Sequence, residues 1–221
     1  MKTVAILPIK SFARAKRRLG DAVGGGERRA LAAAMLEDVL AALGAVPGIV
    51  DVLVVTGEPA AVTVAGRAGA TVLPDPDEAG QSAAAERGIA GALERGADRA
   101  LLVPGDCPAL DRDDVARLLT RGGAPPHVVI APDRHGSGTN ALLLAPPDAV
   151  APAFGAGSLA RHAARAHAAG ATVKVCELPS LALDVDTPDD LAALRTALDA
   201  RPDAAPRTRG VLDRLVPAAA R

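Results

Sequence analysis

The chain has 221 residues, of which 49% are hydrophobic and 23% charged, a length and balance that fit one globular domain with a well-buried core. Its net charge is −1, and it has two Phe but no Tyr or Trp, so nucleic-acid binding is not expected, because a basic face and base-stacking rings are both lacking. The two cysteines, Cys107 and Cys176, show neither metal-ligand spacing nor a disulfide framework, and we expect a reducing, cytoplasmic environment. No stretch reaches the roughly 18–20 apolar residues of a membrane span, so no membrane association is expected.

In chain order, short β-branched runs alternate with segments rich in Ala and Leu that repeat at helical spacing. Four strands buried on both faces are expected at 4–7, 52–56, 71–73 and 100–103, with further strands at 128–131, 141–144 and 172–176. Helices are expected at 27–43, 59–68, 81–95, 111–120, 158–169 and 188–199. The order βαβαβαβ, followed by extra strands, predicts an α/β fold with a mostly parallel sheet covered by helices.

Two segments are predicted to lie outside this regular pattern. Residues 24–26, three consecutive glycines, lack the dinucleotide-binding spacing and are interpreted as a flexible linker. Residues 201–221 shift to a composition of Pro, Ala and Arg, which predicts a loosely ordered tail or a short docked helix around 211–215. We therefore expect one catalytic domain over residues 1–200.

Ligands of open parallel sheets bind beyond the carboxyl ends of the strands, so the loops that follow strands are the candidate sites. The loop at 8–19 follows the first strand and carries five cationic side chains, among them Lys10, Lys16 and Arg18. A cationic loop at this place suits a triphosphate, whose charge must be neutralised before a nucleophile can approach; a solvated basic loop is the alternative. No Walker-A spacing is present, so the loop is not a P-loop.

Asp106 directly follows the apolar strand at 100–103, in the run V-P-G-D-C-P-A-L. An aspartate at this rim can hold a hard cation such as Mg²⁺, which takes oxygen ligands; a turn or capping role is the alternative, although Asp111 is the better cap for the next helix. Cys107 has no partner base and is not expected to be a nucleophile.

Asp184 and Asp186 form a second acidic candidate, because alternation along an extended chain puts both carboxylates on one side. Two close carboxylates are costly unless a cation lies between them. Thr187 then begins a helix as its N-cap, and Asp189 and Asp190 in the first turn are interpreted as structural.

Two glycine-containing segments are candidate sites for a small anion. The first, 132–140, precedes a strand and lets backbone N–H groups and hydroxyls approach an anion; a tight turn is the alternative, with His135 as a loop hydrogen-bonding residue. The second, 154–158, opens a helix with Ser158 as the expected N-cap, which also suits an anion; ordinary capping is the alternative.

Five blocks of the sequence together carry a resemblance to a known family. They are P-I-K…A-K-R-R-L at 8–19, V-P-G-D-C-P-A-L at 103–110, P-D-R-H-G-S-G-T-N-A-L-L-L at 132–144, F-G-A-G-S-L-A-R-H at 154–162 and L-D-V-D-T-P-D-D-L at 183–191. The chain resembles the phosphoenolpyruvate and 2-phospho-L-lactate guanylyltransferases of coenzyme F420 biosynthesis. The second and last blocks also occur in related enzymes such as molybdopterin guanylyltransferases.

The resemblance implies a three-layer α/β/α fold like that of nucleotide-diphospho-sugar transferases. It also implies transfer of GMP from GTP to the phosphate of a small phosphorylated acid, in which Mg²⁺ is held by Asp106, Asp184 and Asp186. Thr139, Gly155 and Ser158 would hold the acceptor, with phosphoenolpyruvate favoured, and Lys10, Lys16 and Arg18 would face the triphosphate. On this basis Asp106, Lys16 and Lys10 are the predicted catalytic residues.

The base side of the nucleotide is less well defined by the resemblance. The family often has G-L-N after an Asp-rich loop, whereas here Gly80 is followed by Gln81 and Ser82. Gly80 and Thr56 are the candidates for nucleotide contacts on that side. The resemblance leaves a homodimer open.

Several alternative functions remain on sequence grounds. The acceptor could be 2-phospho-L-lactate or 3-phosphoglycerate, since a pocket separates such small differences by only ~1–3 kcal/mol. A molybdopterin or sugar-phosphate nucleotidyltransferase, a glycosyltransferase and a non-catalytic nucleotide sensor are the others. The order of the acidic motifs counts against a glycosyltransferase, because D-V-D comes late in the chain.

Overall fold

The computed structural model describes residues 1–12, 16, 18–19 and 23–215. Within these ranges the strands are β1 (Thr3–Ile9), β2 (Ile49–Thr56), β3 (Thr71–Pro74), β4 (Arg99–Leu102), β5 (His127–Pro132), β6 (Thr139–Ala145) and β7 (Thr172–Val175). The helices are α1 (Gly25–Gly44), α2 (Pro59–Arg67), α3 (Gln81–Glu94), α4 (Arg112–Thr120), α5 (Ser158–Ala168), α6 (Pro188–Asp199) and α7 (Pro206–Leu215). None of the helices in the described part of the chain is long and apolar enough to cross a membrane.

The strands form one sheet in the order β3-β2-β1-β4-β6-β5-β7. Neighbouring strands are parallel except where β6 pairs with β4 and β5, to which it is antiparallel. β6 runs against its neighbours because the turn that joins it to β5 is too short for the crossover that a parallel pair needs. The first residues of β6 therefore lie at the edge where the other strands end, and the prediction of a mostly parallel sheet is confirmed.

Both faces of the sheet are covered, which confirms the three-layer arrangement. On β1, Ala5 and Leu7 pack in a cluster with side chains of α1, α2 and α4, whereas Val4 and Ile6 pack in a second cluster with side chains of α3 and α5. A Cβ on Gly88 of α3 would lie 2.3 Å from a methyl group of Ile6. The absence of that Cβ lets α3 pack directly on the centre of the sheet.

A third apolar cluster joins α1 to α6 and α7. The buried Asp38 of α1 accepts hydrogen bonds from the backbone N–H groups of Arg207 at 3.3 Å and Thr208 at 2.8 Å. These donors lie in the first turn of α7, where N–H groups have no partner within the helix. Residues 206–215 of the predicted tail thus form a helix packed on α1, and 216–221 lie outside the described residues.

Two details differ from the sequence-based expectations. The predicted helices and strands lie within three residues of the observed bounds, but β3 is an edge strand of intermediate burial and not a strand buried on both faces. The linker prediction for residues 24–26 is wrong, because Gly25 and Gly26 begin α1 and Gly24 is its N-cap. The N–H of Gly24 donates to Glu27 at 2.8 Å, which closes the first turn.

Candidate active site

The candidate site lies at the edge where β1 and β4 end and β6 begins. Gly105, just before Asp106, allows the loop after β4 to pass close to the end of β1. A Cβ on Gly105 would lie 2.3 Å from Cδ1 of Ile9, so the Ile9 side chain, at the end of β1, would have to move to admit a larger residue. This close approach brings Asp106 beside the cationic loop, as the sequence predicts.

Lys16 joins the two acidic segments. Its ammonium group donates to Asp106 Oδ2 and, at 3.1 Å, to Asp186 Oδ1. The Lys16 side chain is 2% exposed, against 25% for Asp106 and 33% for Asp186. The cation is therefore buried beneath two carboxylates that keep one side open to solvent.

The charges in this cluster stabilise one another. Burial alone would lower the pKa of Lys16, but the charges of Asp106 and Asp186 outweigh it, so the net pKa is raised. Burial alone would raise the pKa of Asp186, but Lys16 and, more weakly, Lys10 and Arg18 hold it below its usual range. Three of the predicted cations thus act on the same carboxylate.

Asp184 lies beside this cluster but lacks a cationic partner among the described residues. The N–H of Val185 donates to the carbonyl oxygen of Asp106 at 3.1 Å, which holds the two acidic segments together. Asn140 donates to Asp184 Oδ1 at 3.1 Å. Burial and the charge of Asp106 raise the pKa of Asp184, so a cation at this place would relieve an uncompensated negative charge.

The three aspartates do not form a closed metal cage. Among the described residues, no three His, Cys, Asp or Glu side chains are arranged to hold a metal ion, and the Lys16 ammonium contacts both Asp106 and Asp186. Carboxylate oxygens are nevertheless suitable ligands for Mg²⁺, which is usually bound by one or two carboxylates together with substrate phosphates and water. The donor set fits an ion that completes its coordination with substrate oxygens.

Hydrogen bonds from the start of α6 hold the segment that carries Asp184 and Asp186 in place. Thr187 is the N-cap of α6, which confirms the sequence prediction, and Asp190 accepts from the N–H groups of Asp186 at 3.0 Å and Thr187 at 2.8 Å. Arg134 lies 2.5 Å from the other oxygen of Asp190. The ion pair between Arg134 and Asp190 is not predicted from the sequence, because 56 residues separate the two and no local pattern indicates it.

The turn between β5 and β6 is held by hydrogen bonds among its own residues. The N–H of Ser137 donates to Asp133 Oδ1 at 3.0 Å, and the N–H of Gly136 donates to the Asp133 carbonyl at 3.0 Å. A Cβ on Gly138 would lie 2.4 Å from the Asp133 carboxylate. Two backbone donors, the N–H groups of Gly136 and Ser137, therefore serve the tight turn that is the alternative interpretation of this segment. The exposed His135 lies on this turn.

Thr139 and Ser158 lie on the other side of the β6 start, where β6 meets α5. Both side chains are buried, at 7% and 1% exposure. The prediction of Ser158 as N-cap is wrong: Gly157 is the N-cap, with a φ of 71° that a larger residue rarely adopts, and Ser158 is the first helical residue. Gly155, with a φ of 103°, begins the same turn.

The loop before α5 is held by hydrogen bonds from both neighbouring helices. Arg161 of α5 donates to the carbonyl oxygens of Ala153 at 2.9 Å and Phe154 at 3.1 Å. Ser82 of α3 accepts from the N–H of Phe154 at 3.0 Å. Ser82, where the sequence departs from the family pattern, thus connects the start of α3 to the loop that carries Gly155. Gly80 is the N-cap of α3, with a φ of 109°, and its contact with a nucleotide stays a prediction.

Glu58 fixes the start of the cationic loop. Its Oε2 accepts from the N–H of Phe12 at 2.8 Å, and its Oε1 accepts from the N–H of Ala60 as the N-cap of α2. Thr56 is 2% exposed, and its hydroxyl oxygen accepts from the N–H of Glu58 at 3.0 Å. Thr56 thus supports the turn that carries Glu58, and its contact with a nucleotide stays a prediction.

Cys107 takes no part in the site. Its side chain is fully buried, and its thiol lies 3.8 Å from the carbonyl oxygen of Leu181. Burial raises the pKa of the Cys107 thiol well above its usual range. A protonated, buried thiol is not a nucleophile, in agreement with the sequence interpretation.

Comparison with solved structures defines the class of fold. A structure from Desulfovibrio desulfuricans G20, named for a nucleotide-diphospho-sugar transferase, matches with a TM-score of 0.77 at 18% identity and covers 97% of both chains. A 4-diphosphocytidyl-2C-methyl-D-erythritol synthase matches with a TM-score of 0.63 at 18% identity, over 90% of this chain and 98% of that one. The chain therefore has the nucleotide-diphospho-sugar transferase type of fold, which confirms the expectation.

Sequence comparison then identifies the family. Residues 3–197 match the family described as "Guanylyl transferase CofC like". A phosphoenolpyruvate guanylyltransferase of Conexibacter woesei is 52% identical over 98% of this chain and 97% of its own length. One of Sphaerobacter thermophilus is 41% identical over 88% of this chain and 93% of its own. The chain belongs to the CofC-like guanylyl transferase family, which confirms the resemblance seen in the sequence.

Proposed function

We propose that this protein transfers GMP from GTP to the phosphate group of phosphoenolpyruvate, giving enolpyruvoyl-2-diphospho-5′-guanosine and pyrophosphate. The family and the names of its relatives support the guanylyl transfer and the acceptor. The observation that carries the proposal is the contact of Lys16 with Asp106 and Asp186. It joins the cationic loop and both acidic segments into one cluster at the sheet edge where β6, with Thr139, begins.

The reaction needs no protein nucleophile and no general base. An oxygen of the acceptor phosphate, already anionic near neutral pH, forms a bond to the α-phosphorus of GTP. The bond from the α-phosphorus to the bridging oxygen breaks, and its electron pair leaves with pyrophosphate. The protein's contribution is to position two anions and to neutralise charge, which agrees with a site that has no activated thiol.

The cationic residues act on the nucleotide side. Lys10 and Arg18 are exposed and lie close enough to Asp186 to lower its pKa, so they are available to the triphosphate. Lys16 is buried against the carboxylates of Asp106 and Asp186 and holds the two acidic segments next to each other. On the acceptor side, Thr139, Ser158 and the backbone at Gly155 receive the carboxylate and phosphate of the small acid.

Asp106, Asp184 and Asp186 are the residues that would hold Mg²⁺. When bound there, the ion would supply positive charge to phosphate oxygens of both substrates, which lowers their mutual repulsion. The raised pKa of Asp184 supports this assignment, since that carboxylate lacks a cationic partner within the described residues. The family resemblance also supports a place for the enzyme in coenzyme F420 biosynthesis.

The experiment that tests the proposal is pyrophosphate release from each of the four nucleoside triphosphates, with different acceptors. Phosphoenolpyruvate, 2-phospho-L-lactate, 3-phosphoglycerate and a sugar phosphate are compared at equal concentration. We expect release to be fastest with GTP and phosphoenolpyruvate. Faster release with another acid or with the sugar phosphate would overturn the assignment of phosphoenolpyruvate as the acceptor. Tight binding of GTP without pyrophosphate release for any acceptor would indicate a nucleotide sensor.

A further inference from the structure

His162 of α5 is a fully buried residue whose two ring nitrogens both have partners. Nδ1 lies 3.0 Å from the hydroxyl oxygen of Thr139, and Nε2 accepts from the N–H of Ala153 at 2.8 Å. The ring of Phe154 packs edge-on against it, with centroids 5.1 Å apart. One ring therefore contacts the first residue of β6 and the loop before α5, the two elements that carry the predicted acceptor-binding residues.

These contacts fix the tautomer of the ring. A backbone N–H can only donate, so Nε2 must offer a lone pair to Ala153. A neutral imidazole carries its one proton on the other nitrogen, so Nδ1–H donates to the Thr139 hydroxyl oxygen. Burial, followed by the charges of Arg161 and Arg165, lowers the pKa of His162 to about 4, which keeps the ring neutral near pH 7.

The tautomer has a consequence for Thr139. Because its oxygen accepts the proton of Nδ1, its own hydroxyl hydrogen cannot point back at His162. That hydrogen must turn to another acceptor, and an anion at the start of β6 is such an acceptor. A hydroxyl without this partner would be free to rotate and to accept where the reaction needs a donor.

We propose that His162 is a positioning residue that orients the Thr139 hydroxyl as a hydrogen-bond donor to the acceptor acid. This inference rests on the proposed function, because Thr139 is assigned there to the acceptor. His162 itself touches neither substrate, and its effect is exerted through Thr139. The same ring, through Ala153, sets the distance from Thr139 to the loop that carries Gly155.

The His162→Gln variant removes one of the two contacts. A glutamine amide oxygen can reach the place of Nε2 and accept from Ala153, but the variant has no donor where Nδ1 stood. We expect KM for phosphoenolpyruvate to rise about tenfold, the effect of losing one hydrogen bond, while KM for GTP is unchanged. His167→Gln, an exposed position on the same helix, is the matched control and should match the wild type in both constants.

A double-mutant cycle distinguishes this role from a merely structural one. If His162 acts through Thr139, adding His162→Gln to Thr139→Val should raise KM for phosphoenolpyruvate no further than Thr139→Val alone. Additive effects of the two substitutions, or equal rises in KM for phosphoenolpyruvate and for GTP, would overturn the inference.

Nitrogen NMR of the imidazole rings tests the same inference without turnover. In ¹⁵N-labelled wild-type protein near pH 7, the signals that disappear in His162→Gln should show a neutral ring protonated at Nδ1. A ring protonated at Nε2, or at both nitrogens, would overturn the inference whatever the kinetics show. A wild-type protein that releases no pyrophosphate would contradict the proposed function instead, and the tautomer would then decide the inference alone.

Discussion

The ammonium nitrogen of Lys16 lies 3.1 Å from Oδ1 of Asp186, although 170 residues separate the two in the chain. The same nitrogen contacts Asp106. This cation therefore connects the loop after the first strand to both acidic segments, and its charge keeps the pKa of Asp186 low. The cationic loop and both acidic segments are joined by this one side chain.

Replacing Lys16 with Met should lower the rate of pyrophosphate release by about 100-fold, the size of effect seen when one preorganised electrostatic contact of an active site is removed. Met keeps most of the length of the side chain but leaves Asp106 and Asp186 without their shared cation. The measurement is pyrophosphate release at saturating GTP and phosphoenolpyruvate. Lys174→Met, on the exposed strand β7, is the control, and an equal loss in both variants would argue against a role in the site.

Replacing Glu58 with Ala should raise KM for GTP, because the carboxylate that accepts from the N–H of Phe12 fixes the start of the cationic loop. The variant should also lose about 1 kcal/mol of stability as the N-cap of α2 is removed. Glu58→Gln keeps an amide oxygen that can accept from one of these donors and should show a smaller effect on both quantities. Equal KM values for GTP in wild type and Glu58→Ala would contradict the assigned anchor.

Replacing Asp38 with Ala should destabilise the protein by about 1–2 kcal/mol, because the first N–H groups of α7 lose a buried acceptor. The free energy of unfolding, from urea titration, is the measurement, and both KM values should be unchanged. Glu37→Ala removes the neighbouring ion pair of Arg207, whose side chain is 50% exposed, and should cost less. If Asp38→Ala leaves the stability unchanged, α7 does not depend on this cap.

The stability of the protein should fall as the pH is lowered from about 6.5 towards 4, in part because of His162. Its pKa of about 4 in the folded state lies below the value of about 6.5 expected when unfolded. Between these values the unfolded state binds more protons, so stability rises with pH. Replacing His162 should therefore remove its contribution to the pH dependence of stability.

The contribution of His162 to the pH dependence of stability is isolated by comparing wild type with His162→Gln. Between pH 7 and pH 5 the wild type should lose about 2 kcal/mol more of its free energy of unfolding than the variant does. His135→Gln, on the exposed turn before β6, should behave as the wild type. Identical pH slopes in wild type and His162→Gln would show that the ring is not held neutral in the folded protein.

Local patterns in the sequence were sufficient for most of the fold. Helical and strand periods are local properties, and the caps at Asp111 and Thr187 were found because each needs only its own next few residues. The errors at Gly24–Gly26 and Ser158 have a local cause as well. Glycine and serine are each compatible with a linker, a cap and a first turn, and only the packed structure decides among these.

The contacts that assemble the site could not be found in the same way. Glu58 to Phe12, Ser82 to Phe154 and His162 to Thr139 each join residues far apart in the chain. Amino-acid composition and the periodicity of apolar residues contain no information about such long-range pairs. The resemblance indicated which residues would touch substrate, but not the side chains that hold those residues in place.

We expect guanylyl transfer to depend on the cluster of Lys16, Asp106 and Asp186. The decisive measurement is pyrophosphate release from GTP and phosphoenolpyruvate by wild type, Asp186→Asn and Asp189→Asn, with Mg²⁺ present and after its removal by a chelator. Asp189 lies exposed in the same segment and provides a matched substitution. We expect wild type and Asp189→Asn to release pyrophosphate at the same Mg²⁺-dependent rate, and Asp186→Asn to be at least about 100-fold slower while still folded. Release by Asp186→Asn at the wild-type rate would show that the reaction does not depend on this cluster.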